Sequence, residues 1–180
     1  DVAMGEKAIK AEGVDEEQAK EIAVEDVRKH FKYLFQEAPV NDIYNFLELC
    51  VYPEDRSAYA AVLRSPFVNI SDDAMITLIT SENPLFSHAG IGHISAEDRE
   101  KISLASEMYE QIQSLIDIKT PGEIIFDLWY RWGYRYSLLQ EPKFHPYLEY
   151  YRFLKTYADQ TSELSMAGFL DRIRERLGKY

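Results

Sequence analysis

The sequence predicts an all-α protein, an irregular array of about seven or eight helices in a single domain. Polar capping residues repeatedly stand before apolar residues spaced three and four apart, the pattern of helices that bury one face. Runs that alternate apolar and polar residues, typical of strands, are absent from the sequence. The 180 residues are 46% hydrophobic and 13% aromatic, enough to enclose one core.

Prolines and polar turns separate the predicted helices of the first half. Residues 1–14 are small and polar and are predicted to fray, whereas residues 15–180 form the helical domain. Helices are predicted over 15–35, 41–52, 57–63 and 71–80, with Asn41 as the cap of the second. We expect Ile22 and Phe31 to face the core from the first helix, and Met75, Ile76 and Ile79 from the fourth.

The second half is predicted to contain longer helices. The longest covers residues 96–118, follows the cap Ser95 and carries a regular apolar stripe. Thr120-Pro121-Gly122-Glu123 has the form of a capping box and opens a helix that stops near Gly133. Two more helices are predicted over 147–158 and 165–177, the last capped by Ser165.

The stretch around Pro66 is the best-marked break in the chain. Leu63-Arg64-Ser65-Pro66 is predicted to end a helix, because Pro66 biases Ser65 away from helical dihedrals. Ser71 is a good N-cap for the next helix, and the two aspartates that follow it favour the positive end of the helix dipole.

Charge and cysteine content limit the possible functions. A net charge of −11 argues against a surface that binds nucleic acid broadly, although it leaves room for one local patch. Cys50 is the single cysteine, so we expect a reducing compartment and a buried structural thiol. We predict a cytoplasmic protein, with no apolar run long enough for a membrane span. Because the chain begins with Asp1, we expect a piece of a longer protein.

No catalytic constellation stands out in the sequence. There is neither a phosphate loop ending in Gly-Lys-Ser/Thr nor a zinc motif. His88 and His93 lie near Glu97, but their spacing does not favour a metal site, and we interpret them as loop histidines. We therefore expect no catalytic residue, metal or cofactor in this chain.

Two features allow more than one interpretation. The aromatic rows at 129–136 and 147–157 fit a stacking platform for single-stranded bases, but their helical spacing favours a core with polar phenol tips. Gly90-Ile91-Gly92 before a helix resembles the hairpin of helix-hairpin-helix modules, whose backbone amides hold a phosphate. A simple capping turn is the favoured interpretation of this triplet.

Residues 41–75 resemble a region of the UvrD/Rep-type superfamily-1 DNA helicases, and are most similar to the RecB and AddA recombination branch. The matching pieces are Pro53-Glu54-Asp55, Leu63-Arg64-Ser65-Pro66-Phe67 and Ser71-Asp72-Asp73. Segments 121–134 and 146–177 are similar to the same family more loosely. Asn69 and Ser71 stand where the shorter helicases of the family have glycines, and Asn tolerates glycine-like dihedrals best among the other residues.

The resemblance implies that the chain is the accessory helical subdomain called 2B. That subdomain orients duplex DNA and regulates unwinding, while ATP and Mg bind elsewhere in the parent helicase, a hydrolase of bacterial cytoplasm that acts in DNA repair and recombination. Implied partners are duplex DNA, the motor domains of the same polypeptide and a second helicase–nuclease subunit. Possible DNA contacts are Arg64, Ser65, Asn69, Ser71, Gly90 and Gly92. The alternative hypothesis is a helical protein–protein interaction module unrelated to helicases.

Overall fold

A computed structural model of the chain describes residues 15–142 and 144–178, apart from the side chains of Val24 and Val27. The predicted fraying of residues 1–14 lies outside this part. Within it the chain forms nine α-helices and no strand, which confirms the predicted all-α array. The helices are α1 (Glu16–Leu34), α2 (Val40–Val51), α3 (Arg56–Arg64), α4 (Asp72–Thr80), α5 (Ala96–Leu115), α6 (Pro121–Tyr130), α7 (Tyr134–Leu138), α8 (Phe144–Asp159) and α9 (Met166–Leu177).

Helix boundaries differ from the prediction at four points, one of which is α8, which begins at Phe144 and not at residue 147. Helix α7 was not predicted; it follows Gly133, whose left-handed φ of 78° ends the helical conformation between α6 and α7. Helix α5 ends at Leu115, before residue 118, because Asp117 takes a left-handed φ of 64°. Asn41 is not the cap of α2 but lies in its first turn, where its side-chain oxygen accepts a bond from Asn45 Nδ2 at 3.3 Å.

Helix α2 lies at the centre of the fold. It packs against α3, α5, α8 and α9, so apolar side chains from several directions cover it. Its buried residues are Val40, Ile43, Tyr44, Phe46, Leu47, Glu48, Leu49 and Cys50. Cys50 is buried as predicted, and burial raises the pKa of its thiol.

Polar side chains of α5 attach to the C-terminal turn of α2. Tyr109 Oη donates to the carbonyl of Leu49 at 3.1 Å, and Gln113 Nε2 donates to the carbonyl of Cys50 at 3.3 Å. Both carbonyls lie in the last turn of the helix, where intrahelical donors run out. Helix α5 therefore satisfies the end of α2 as well as packing against it.

Two acidic residues of α2 are held by partners from distant helices. Asp42 accepts a bond from Tyr134 Oη, and burial raises the pKa of this carboxyl while the bond lowers it. Glu48 is buried and pairs with Arg174 of α9, whose guanidinium carbon also lies 4.8 Å from the ring centre of Tyr52. These pairs fix α7 and α9 against the central helix.

The predicted inward faces are mostly correct, with two errors. Ile76 and Ile22 are exposed, although both were expected to face the core. In α4 the buried face instead consists of Ala74, Met75 and Leu78. The pattern of a nine-residue helix with five apolar positions fits more than one face, and its packing against α3 decides which face is buried.

The Glu48–Arg174 pair gives a stability prediction. Arg174→Met is expected to lower the free energy of unfolding by about 3 kcal/mol, because it leaves a buried carboxylate without its cation. Arg172→Met, an exposed change on the same helix, is the matched control and should change stability by under about 0.5 kcal/mol. Urea unfolding of both variants measures the difference, and equal midpoints would show that the pair contributes nothing.

Candidate nucleic-acid interface

The joint, residues 64–71 between α3 and α4, is built around Ser65. Ser65 ends α3 in an extended conformation with ψ of 164°, as predicted for the residue before Pro66. Its hydroxyl donates to the carbonyl of Val62 at 2.6 Å. Its own carbonyl accepts from the amides of Val68 at 3.1 Å and Asn69 at 2.8 Å. Ser65 is buried, so this predicted contact residue serves the turn itself.

The backbone amides of the joint are all used internally. In addition to Val68 and Asn69, the Phe67 amide donates to Ser65 Oγ at 3.3 Å and the Ile70 amide donates to the Leu63 carbonyl at 3.4 Å. The Ser71 amide donates to Asp98 Oδ1 at 3.3 Å. A phosphate could bind these amides only by displacing a bond that closes the turn.

Asn69 occupies the left-handed region, with φ of 54°. This conformation agrees with the expectation that Asn substitutes for a glycine at this position. Asn69 is exposed, and its carbonyl accepts from Lys101 Nζ of α5 at 3.0 Å. The Asn69 side chain therefore faces the surface while its backbone is held by the neighbouring helix.

Asp98 in the first turn of α5 locks the joint in place. Its carboxylate accepts from Ser71 Oγ at 2.7 Å, and its amide donates to the cap Ser95 at 3.1 Å. Ser71 Oγ also accepts from the Ala74 amide at 3.2 Å, which confirms Ser71 as the cap of α4. The bonds from Ser71 hold the pKa of Asp98 below its usual range.

Arg99 closes the loop that carries the two candidate glycines. Its Nε donates to the carbonyl of Ile94 at 3.0 Å, and one of its terminal nitrogens donates to the carbonyl of Ile91. The other terminal nitrogen lies 3.0 Å from His88 Nδ1. The opposite ring nitrogen, His88 Nε2, lies 3.3 Å from Ser103 Oγ, so this histidine bridges the glycine loop and α5.

Gly90 and Gly92 leave their amides open. Both residues are exposed, and among the described residues neither amide donates to a protein acceptor. Gly90 has a φ of 74°, which only glycine adopts without strain. The Arg99 side chain binds two carbonyls of the same loop. The glycine loop therefore has backbone N–H donors without an internal partner, whereas the joint has none.

Local charge limits how strongly this region can attract DNA. The Arg64 side chain is 66% exposed, and its Nε lies 4.0 Å from Asp72 Oδ1. Lys101 Nζ is 3.2 Å from Glu97 and is also bound to the Asn69 carbonyl. Arg64 is thus the most available cation of the joint, and the acidic residues beside it oppose phosphate.

Other candidate features lie apart from this interface. In the described part of the chain, His, Cys, Asp and Glu side chains form no cluster of three placed to hold a metal ion. A cleft of about 440 Å³ between α1, α2 and α9 is lined by Lys32, Gln36, Asn41 and Asn45, none of them a predicted contact. Of the helices described, none is both long and apolar enough to cross a membrane.

Sequence reasoning missed the role of α5 in this site. Asp98 was not among the predicted site residues, yet its carboxylate binds Ser71 across a separation of 27 residues. Lys101 binds Asn69 across 32 residues. Neither bond has a local signal in the sequence, because the partners are 27 and 32 residues apart. Helix α5 anchors both the joint and the glycine loop.

Comparison with known proteins adds no assignment: no protein-family model matches the chain, and no curated protein matches it either.

The two bonds that the Asp98 carboxylate accepts from Ser71 predict a pH-dependent stability. Asp98→Asn should destabilise the chain by about 1–2 kcal/mol at neutral pH, because the bonds from Ser71 lose their charged acceptor. The folded pKa of Asp98 lies below the unfolded value of about 3.9. The stabilisation is therefore complete above about pH 5 and is lost as the pH falls through the folded pKa.

Denaturant unfolding from neutral to acidic pH tests this prediction. The difference between wild type and Asp98→Asn should shrink below about pH 4. Glu97→Gln changes an exposed carboxylate in the same helical turn and is the matched control, with a smaller effect expected. If the stability difference between wild type and Asp98→Asn stays constant down to the acid transition, the Asp98 carboxylate does not stabilise the joint as proposed.

The glycine loop gives a second prediction. Gly90→Ala should cost about 1–2 kcal/mol, because an L side chain is strained at its positive φ. Gly92→Ala should be nearly neutral, since a Cβ at that residue would meet nothing within 4 Å and its φ is not positive. Thermal or urea unfolding of the two variants distinguishes them, and equal stability would show that the loop does not hold this conformation.

Proposed function

We propose that the chain is a 2B-like accessory helical subdomain of a UvrD/Rep-type DNA helicase of the RecB/AddA-like branch. In this role it orients duplex DNA ahead of the motor and regulates unwinding. It performs no chemistry. ATP and Mg bind to the motor domains of the parent protein, which acts in DNA repair and recombination in the bacterial cytoplasm.

The joint at residues 64–71 is the observation that carries this proposal. Its sequence is where the resemblance to the helicases is most specific. Its backbone forms a closed turn that leaves Arg64 exposed and Asn69 in a left-handed conformation. A fixed turn with an outward cation is suited to positioning a duplex without gripping it tightly.

The open amides suggest how a duplex would be contacted. Because the amides of residues 67–71 are satisfied internally, we infer that Gly90 and Gly92 supply the backbone donors and that Arg64 supplies the charge. Helix α5 supports both elements through Asp98 and Arg99. The two contacts would therefore move together with α5, as a subdomain that swivels as a rigid body requires.

The remaining partners follow from the same proposal. The chain would pack against the motor domains of its own polypeptide, and a second helicase–nuclease subunit is a further candidate partner. A protein-interaction module unrelated to helicases is the second candidate function. The net charge of −11 and exposed side chains such as Ile76, Leu104 and Ile118 favour it.

Duplex binding by the chain tests the proposal. We expect weak affinity, with log K falling against log salt at a slope no steeper than about −2, because Arg64 and Lys101 are the cations available near the joint. Arg64→Ala should weaken binding and flatten this slope by about 1. Fluorescence anisotropy of a labelled blunt duplex, titrated with the protein between about 50 and 200 mM salt, measures both quantities.

Arg152→Ala is the matched control for this experiment. Its side chain is 62% exposed, similar to Arg64, and pairs with Glu149 on α8. The control should leave the salt slope unchanged. Duplex affinity that is lost equally in both variants would indicate non-specific attraction, and tight protein binding with no DNA effect would favour the interaction module.

A further inference from the structure

Helices α6 and α7 carry exposed aromatic side chains that are not part of the joint. Tyr130 is 49% exposed and Tyr136 is 78% exposed. By contrast, Trp129, which precedes Tyr130, and Tyr134, which lies between the two exposed tyrosines in sequence, are fully buried. Phe126 is half exposed and lies one helical turn before Tyr130, with ring centres 4.7 Å apart. The aromatic row therefore divides into a core set and a surface set.

The Tyr130 ring of the surface set rests on a rigid base. Trp129 and Tyr151 stack with ring centres 4.3 Å apart and planes 12° from parallel. The Tyr130 ring contacts both edge-on, at 6.5 Å and 6.2 Å between centres. A ring fixed in this way loses little conformational entropy when a second flat group stacks on it.

Two arginines accompany these rings. The Arg135 guanidinium carbon lies 5.8 Å from the centre of the Tyr130 ring, and Arg131 at the end of α6 is exposed. The acidic residue of the segment 126–139 is Asp127, whose carboxylate is already paired with Lys119 at 2.8 Å. Neither arginine has an ion-pair partner among the described residues. In a chain of net charge −11, the segment 126–139 thus carries two arginines and a single aspartate.

We propose that Phe126, Tyr130 and Tyr136, together with Arg131 and Arg135, form a stacking surface for single-stranded DNA. Every base has a flat face that stacks on an aromatic ring, and the phosphates between bases need nearby cations. Exposed rings interleaved with unpaired arginines match both requirements. The rings could also bind a protein partner, but only an acidic protein would bind the arginines as well. The choice of DNA as the polymer rests on the proposed function, whereas the stacking surface itself does not.

Binding of oligothymidylate to residues 1–180 tests this proposal. We expect measurable binding of a labelled strand of about 20 nucleotides at low salt. Tyr136→Ala and Tyr130→Ala should each weaken it by about 10-fold, and Tyr130→Phe should retain it because the ring is kept. Arg131→Ala should weaken binding and reduce its salt dependence. Tyr136 is so exposed that its removal cannot unfold the chain, which far-UV circular dichroism would verify.

Tyr33→Ala is the matched control, because Tyr33 on α1 is 48% exposed and has no place in this surface. It should bind like the wild type. The proposal is overturned if the wild type fails to bind oligothymidylate, which would leave the surface to a protein partner, or if it binds only oligouridylate. Equal affinity of wild type and both tyrosine-to-alanine variants would also overturn it. Arg64→Ala should weaken duplex binding but not strand binding, so failure of this proposal is distinguishable from failure of the duplex-contacting function.

Discussion

The enclosure of α2 is the constraint on which the rest of the structure depends. Eight of its residues are buried, and four helices pack around it, so each neighbour is positioned by a shared central element. Such a helix can include acidic residues only if each finds a partner. Asp42 and Glu48 find theirs in Tyr134 and Arg174, which are 92 and 126 residues away in sequence. The folded array thus depends on contacts between its two ends.

Helix α5 connects the central helix α2 to two surface loops. Its inner face is bound to the end of α2 through Tyr109 and Gln113. Its first turn holds the joint through Asp98 and the glycine loop through Arg99. The two loops that precede and follow α4 are therefore supported by one rigid helix. On the proposed function, this arrangement would hold the few DNA-contacting groups of an acidic protein in a fixed geometry.

Sequence reasoning succeeded where structure is determined by residues within one helical turn. The caps Ser71, Ser95, Thr120 and Ser165 were each recognised, because a cap is a bond to an amide three residues on. It failed where distant packing decides. Neither the exposure of Ile76 nor the Ser71–Asp98 bond has a local signal. The aromatic row was interpreted as a core with polar phenol tips in preference to a stacking platform, yet Trp129 is buried and Tyr130 is half exposed.

The central claim is that α5 presents the glycine loop and Arg64 as one duplex-contacting unit. Amide chemical-shift mapping of the isotope-labelled chain, titrated with a short DNA duplex, tests it most directly. The account predicts shifts at Gly90, Gly92 and Arg64, while the internally bonded amides of residues 67–71 stay protected from exchange. Shifts confined to other surfaces, or none at concentrations where duplex binding is observed, would contradict it.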